Sequence, residues 1–168
     1  MDETTLNLHP PLRACWMKQG EQKRISTPGK QRSHHLFAAY NWQHDTVTWL
    51  AAARKNSESF IAFLEHLLVK HYPTGPVVLV LDNAPYHKSA AALAALTLFE
   101  HRVWVFWLPP YCSTLNLIER FWRFLKDYVC VNKLFPNMDD LLASAHARLI
   151  AQNDPTNPKR FLCSKLIQ

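Results

Sequence analysis

Two carboxylates stand where a fold could put them to chemical use. The stretch VVLVLDNAPYH, residues 77–87, runs five apolar residues straight into Asp82 and then turns at Asn83-Ala84-Pro85. A strand that ends on Asp can be closing itself with an Asx turn. It can equally hold the carboxylate rigidly at its exit, where a metal ion binds. Glu119 lies in LPPYCSTLNLIERFWRFLK, residues 108–126. Helical spacing puts Asn116, Glu119, Arg123 and Lys126 on one polar face, beside an apolar stripe of Leu115, Ile118, Trp122, Leu125 and Val129. Taken alone, Glu119 reads as a solvated residue pairing with Arg123. Taken with Asp82 it reads differently. If the two β-α units are neighbours, their strand ends share one sheet edge, where open α/β sheets build their sites. Asp2 is a third carboxylate, and Glu3 points to the opposite face of any strand. Crowded carboxylates raise each other's pKa unless a cation neutralises them. An all-oxygen set favours Mg²⁺ or Mn²⁺. Two such ions about 4 Å apart activate an attacking oxygen and stabilise a leaving one on phosphorus.

Other residues carry two readings each. His87 can reach a phosphate or the attacking water, or it can pack at a helix start. Asn83 orients Asp82 or makes a turn, and the turn is favoured. Lys88, Arg120, Arg123 and Lys126 are candidate phosphate contacts, or else a solvated basic face. Trp104, Phe106 and Trp107 offer stacking surfaces for bases, but their place in a strand favours core packing. Trp16 is expected to pack on a hairpin.

The elements that must hold these groups follow from periodicity. HLFAAYNW (35–42) and TVTWLAAA (46–53) flank Gln43-His44-Asp45 and predict a hairpin, with a further strand over Arg24–Thr27. Phe60, Phe63, Leu64, Leu67 and Leu68 define an amphipathic helix, capped by Ser57 and ended by Pro73. Residues 77–81 do not alternate, so a central parallel strand covered on both faces is expected. An Ala-rich helix over 89–98 follows, then a strand over 102–108 stopped by Pro109-Pro110. A helix from Thr114 to Val129 and a last one over 138–152 complete the chain, with a loose tail after them. The order β-β-β-α-β-α-β-α-α predicts an α/β sheet of mixed direction.

Composition sets limits. The 168 residues, 48% hydrophobic, suffice for one domain with a real core. No apolar run approaches the length of a membrane span, and Met1-Asp2-Glu3 is not the opening of a signal peptide. The formal charge of +6 suits a polyanionic partner. Cys15, Cys112, Cys130 and Cys163 fall in no zinc or CxxC spacing and read as reduced thiols. The histidines are scattered, and the adjacent His34 and His35 would face opposite ways on a strand.

DNAPYH followed by LPPYCSTLNLIERFWRFLK resembles the catalytic domain of DDE transposases of the mariner superfamily. Within it, the bacterial insertion sequence family numbered six hundred and thirty is the closest in motif. Asp2-Glu3 followed by PLRACWMKQGEQ is similar to that family's Asp-Glu and Arg-x-x-Trp-x-x-x-Gly, so the likeness runs from Asp2 to about Lys126. It implies a ribonuclease H-like fold, a mixed five-stranded sheet flanked by helices, over residues 1–152, with 153–168 as a tail. It implies that Asp2, Asp82 and Glu119 are the catalytic, metal-binding triad for two Mg²⁺ or Mn²⁺ ions, and it raises the standing of Asn116 as a neighbour of those ions. Water activated there would cut double-stranded DNA at transposon ends, and the freed 3′ hydroxyl would attack target DNA. The implied setting is a bacterial cytoplasm, with a homodimer as the active form.

The sequence departs from the family pattern at Cys112-Ser113-Thr114 and at Leu117, and neither change touches a carboxylate. A larger departure lies at the start, where the first strand is expected to be largely missing and the helix-turn-helix region absent. An upstream polypeptide would supply that region. Unpaired edges would leave the isolated chain marginally stable. A stand-alone ribonuclease H-like nuclease and an inactive remnant that binds DNA nonspecifically are the competing functions.

Overall fold

The computed structural model describes residues 1–22, 24, 29–110, 112 and 115–162. Strand β1, Asp2–Asn7, runs antiparallel to β2, Ser33–Asn41, with Asp2 opposite Ala38 and Asn7 opposite Ser33. Strand β3, Thr46–Ala52, pairs with the far side of β2 from Ala52 opposite His35 to Thr46 opposite Asn41. The expected hairpin is therefore present. Its turn ends on Asp45 in the left-handed region (φ 52°), and Asp45 accepts a 2.8 Å hydrogen bond from the Tyr40 hydroxyl.

A strand also forms ahead of the runs that periodicity marked. DETTLN forms β1 because Asp2, Thr4 and Leu6 share one face and Glu3 and Thr5 the other. The six residues Asp2–Asn7 form that strand from Asp2 onward. Arg24 lies outside any strand, and 25–27 fall outside the described residues.

Helix α1, Ser57–Glu65, buries Phe60, Phe63 and Leu64 and continues as a π-type turn over His66–His71 that buries Leu67 and Leu68. Its cap is Asn56, not Ser57: the Asn56 carboxamide oxygen accepts from the Ser59 amide at 3.0 Å. Strand β4, Val77–Leu81, pairs in parallel with β5, Val103–Trp107. Between them lie a 3₁₀ turn, Pro85–Lys88, and α2, Ala90–Thr97, whose cap Ser89 accepts from the Ala92 amide. Helix α3, Leu117–Val129, and α4, Met138–Asn153, close the fold.

The five strands form two sheets, β1-β2-β3 and β4-β5, instead of one. Alternation along β2 divides the core between them. Leu36 and Ala38 pack with Leu6, Ile118, Phe121, Leu125 and Leu149 beneath α3 and α4. Phe37 packs with Phe60, Phe63, Leu68, Leu79 and Leu81 beneath α1 and α2.

Strand β4 is not the central strand that its apolar run predicted, since Val78 is 66% exposed. Trp104 and Phe106 point outward from β5 at 55% and 59% exposure, and Trp16 is also fully outside, so none of the three packs in a core. On α3 the buried stripe is Ile118, Phe121, Trp122, Leu125 and Val129, with Leu115 exposed before the helix begins. The tail is tied down as far as it is described. Phe161 stacks against Tyr40, Phe121 and Phe124, and Arg160 donates to the carbonyls of His44 and Asp45.

Candidate active site

Strand alternation sends the two acidic residues of β1 to opposite sides, as the sequence predicts. Asp2 faces α3, where its Oδ2 accepts from the Trp122 indole N–H at 3.1 Å. Its carboxyl is pushed up to about 7, first by burial and then by the negative charges of Glu3, Glu119 and Asp82, with a backbone bond at Glu3 opposing. The acid is therefore within electrostatic reach of both other candidate carboxylates.

Glu3 faces α1. Its side chain is buried, with one oxygen paired to the Lys55 ammonium and the other 3.8 Å from His87 Nε2. The His87 ring is wholly buried between Phe60 and Tyr86, at centroid distances of 4.3 and 4.5 Å. Its Nδ1 lies 2.8 Å from Asp82 Oδ1. Asp82, Glu3 and Lys55 are thus joined through one imidazole, a connection that ties β1 to the end of β4.

Asp82 combines the two readings of its sequence. Its Oδ1 accepts from the Ala84 amide at 3.1 Å, which is the Asx turn, while His87 fixes it from the side. The His87 contact holds the carboxyl below the usual carboxylate range, against the effect of partial burial. Asp82 and Glu119 line one cleft of about 340 Å³, with Asn83, Pro109, Cys112 and Asn116 among its walls. Glu119 sits exposed in the first turn of α3, its amide bonded to the Asn116 carbonyl at 3.0 Å. Among the described residues no ion pair joins Glu119 to Arg123.

The two amides act as braces. Asn116 is buried and donates to the Met1 carbonyl at 3.2 Å, which pins the start of α3 to the start of β1. Asn83 donates to the Leu108 carbonyl and accepts from the Lys88 ammonium, which joins the exit of β4 to the end of β5.

Residues 1–142 match the family model described as a DDE superfamily endonuclease. The chain belongs to that family. It is 30% identical over 141 residues to the insertion element IS630 uncharacterized 39 kDa protein of Shigella sonnei, covering 84% of this chain and 41% of that protein. The chain thus spans about two-fifths of the curated relative it matches. The Mos1 transposase paired-end complex with left transposon end superposes with a TM-score of 0.67 at 15% identity, over 89% of this chain and 46% of that one. The Mos1 mariner paired end complex with Mn gives 0.63 at 16%, over 89% and 47%. At such identities the likeness bears on fold alone. It agrees with the α/β, ribonuclease H-like expectation.

In this DDE chain the three carboxylates come from three elements. Among the described residues, no three or more His, Cys, Asp or Glu side chains are gathered closely enough to hold an ion. The donor set still fits a hard cation. It is all oxygen, and the acid of Asp2, raised first by burial, is raised further by the negative charges of Glu3, Glu119 and Asp82. The basic residues around the cleft differ in freedom. Lys88 is held by Asn83 and lies 4.9 Å over the Trp107 ring. Arg120 and Arg123 are exposed on α3, and Lys126 is half-buried. Glu3 and Lys55 escaped the sequence reading. Glu3 had a signal in its adjacency to Asp2, whereas Lys55, in the loop before α1, had none.

Proposed function

We propose that this chain supplies the catalytic carboxylates of a DNA transposition reaction, in which a phosphodiester at a transposon end is cut and the freed 3′ end is joined to target DNA. Asp2, Asp82 and Glu119 would hold Mg²⁺ or Mn²⁺, two ions by the family resemblance. Bound there, such ions would activate the attacking oxygen and neutralise charge on the phosphate. The chain's own residues do the positioning. His87 and the Ala84 amide fix the Asp82 carboxylate, Trp122 fixes Asp2, and Asn116 holds the start of α3 where Glu119 projects. Arg120 and Arg123 would take the phosphates flanking the cut. The active form would be a homodimer on double-stranded DNA in the bacterial cytoplasm.

One observation carries the reading: Asp82 and Glu119 share a cleft, and the acid of Asp2, raised chiefly by burial and then by Glu3, also feels the charge of both. A thermal melt with and without Mn²⁺ tests it. An ion that binds only the folded chain, at a hundred times its Kd, adds about 2.7 kcal/mol of stability. The parent melt is expected to rise with Mn²⁺. The melts of Asp82→Asn and Glu119→Gln are not, and both variants should lose Mn²⁺-dependent nicking of plasmid DNA. A parent insensitive to Mn²⁺, or variants that respond equally, would sink the assignment.

A further inference from the structure

Positive charge is not spread evenly along this chain. The segment between β1 and β2, residues 8–32, holds Arg13, Lys18, Lys23, Arg24, Lys30 and Arg32 against the single acid Glu21. Six basic residues against one give it a net charge of +5, out of +6 for a chain with 19 basic and 13 acidic residues. Everything outside the segment is nearly neutral.

The root of this arm is fastened to the end of α3. Where it leaves the sheet, the Leu8 amide donates to the Arg32 carbonyl at 2.9 Å. Further out, Asn132 grips it. The Asn132 carboxamide accepts from the Arg13 amide and donates to the Arg13 carbonyl, both at 3.0 Å, and the Asn132 amide donates to the Pro11 carbonyl at 3.2 Å. The Arg13 guanidinium pairs with Asp127 at 2.6 Å. On α3, Asp127 lies in one row with Arg120 and Arg123, because residues three and four apart are neighbours on a helix. The arm thus takes up the line that the exposed arginines of α3 begin beside Glu119. From Glu119 to Asp127 is about 12 Å along the helix. Trp16, three residues past Arg13, stands at most ~10 Å further on. It is wholly exposed and Leu12 largely so, in place of the hairpin packing that the sequence predicts for Trp16. Just beyond it the chain turns at Lys18–Glu21, where the Glu21 amide donates to the Lys18 carbonyl at 3.0 Å and Gly20 takes φ 84°.

We propose that residues 8–32 form a DNA-binding arm that follows the duplex away from the carboxylates, with basic side chains on its phosphates and Trp16 wedged at a base step. The occupant follows from the chemistry. An indole standing in water among cations suits a partner that offers phosphates and apolar base faces together, and apolar wedges of this kind part base steps in a minor groove. Its position follows from the line along α3. A span on the order of 20 Å, at about 3.4 Å per base pair, sets Trp16 about six base pairs from the phosphate at Glu119. That spacing rests on the carboxylate reading, whereas the contact between arm and duplex does not.

The test reads binding without divalent metal, so that no strand is cut. Anisotropy of a labelled duplex of about 20 base pairs is followed against the full chain. Trp16→Ala is expected to weaken binding about tenfold, and Trp16→Phe to restore most of it. Trp16 carries no charge, so its loss should leave the slope of log K on log salt unchanged. Lys18→Ala combined with Arg24→Ala should lower that slope by about 2. A 2-aminopurine base in the duplex should brighten when the parent binds and stay dim with Trp16→Ala, because a wedge unstacks its neighbours. Trp16→Ala should also keep the Mn²⁺ response of the melt. A parent without that response, yet with binding that depends on Trp16, would remove the carboxylate reading and leave the arm standing. The proposal is overturned if Trp16→Ala binds the duplex as tightly as the parent, or if it loses the Mn²⁺ response, which would make Trp16 a folding residue. It is also overturned if Trp16 matters only for vesicles of phosphatidylserine, which would make the arm a membrane contact. The same holds if it matters only for a dimer sedimenting without DNA, which would make the arm a contact between copies.

Discussion

The antiparallel and parallel halves of this molecule treat similar sequence very differently. In the first, β1, β2 and β3 are paired in order, α3 and α4 cover one face, and residues up to 162 strap across the hairpin through Arg160 and Phe161. In the second, two strands stand alone, with Val78, Trp104 and Phe106 left facing out. The candidate site straddles the seam. Asp2 and Glu119 belong to the first half and Asp82 to the second. Phe37 of β2 packs across to Leu79 and Leu81 of β4, and the polar ties between the halves include the Met1 ammonium on Val80 and the His87 ring between Asp82 and Glu3. The distance between the carboxylates is therefore set by how the halves meet, more than by the packing inside either one. That accounts physically for carboxylates that feel one another's charge without gathering into an ion cage.

The largest effect should come from aromatic residues that look alike in the sequence and lie in different halves. Phe121 is fully buried in the antiparallel core and stacks on Tyr40, Trp122, Phe124 and Phe161. Phe121→Ala should cost about 3–5 kcal/mol in denaturant unfolding. Trp104→Ala removes a larger ring from an exposed face of β5, and should stay within about 0.5 kcal/mol. Equal costs would mean that the face of β5 is covered in solution, and the contrast between the halves would fall.

A smaller effect concerns pH, and it probes the seam itself. Asp2 titrates near 7 in the folded chain, above the ordinary carboxylate value of about 4. The unfolded chain gives up this proton first, so stability should fall as pH rises from about 4 to about 7, by an amount on the order of a few kcal/mol. Two groups act oppositely. The buried Met1 ammonium is lowered to about 6, which returns stability as pH rises from about 6 to about 8. Asp82, held low by His87, adds stability that is lost only as the solution becomes acidic. Urea unfolding across pH 4 to 8 should show the decline in the parent and not in Asp2→Asn. A parent curve that climbs through that window would mean Asp2 does not lie among Glu3, Glu119 and Asp82 as described.

Much of this was legible in the sequence, for stateable reasons. The hairpin, α1 and the β4 and β5 strands were carried by periodicity, because a covered face must repeat with its element. The opposite facing of Asp2 and Glu3 followed from the pleat alone. What failed were inferences about what covers a face. An apolar run such as VVLVL looks the same whether its flank holds a neighbouring strand or a gap, so Val78 and Trp104 were assigned to a core they do not reach. The start of α3 was misplaced because Leu115 fits the helical stripe that Phe121 occupies. Asn56 displaced Ser57 because both residue types cap well, and only geometry chooses. The His87 network was half legible. Its place after Asp82 marked it, but the Glu3 and Lys55 that complete it come from distant segments that local spacing does not connect.

The smallest effect separates the basic residues of the two halves. Lys88, in the parallel half, is occupied by the Asn83 carboxamide and the face of Trp107. Arg123, on α3, is exposed with no recorded ion pair to Glu119. A phosphate contact releases counterions, so each one lost flattens the dependence of log K on log salt by about 1. Arg123→Ala should therefore lower that slope by about 1 for any duplex sequence, with stability unchanged within about 0.5 kcal/mol. Lys88→Ala should move the slope less, because its charge is already engaged, and should cost stability by freeing Asn83. Fluorescence anisotropy of a labelled duplex against KCl reads both slopes. If Lys88 carries the larger slope, DNA approaches along the β4–β5 edge instead of along α3, and the more exposed half becomes the DNA-facing one.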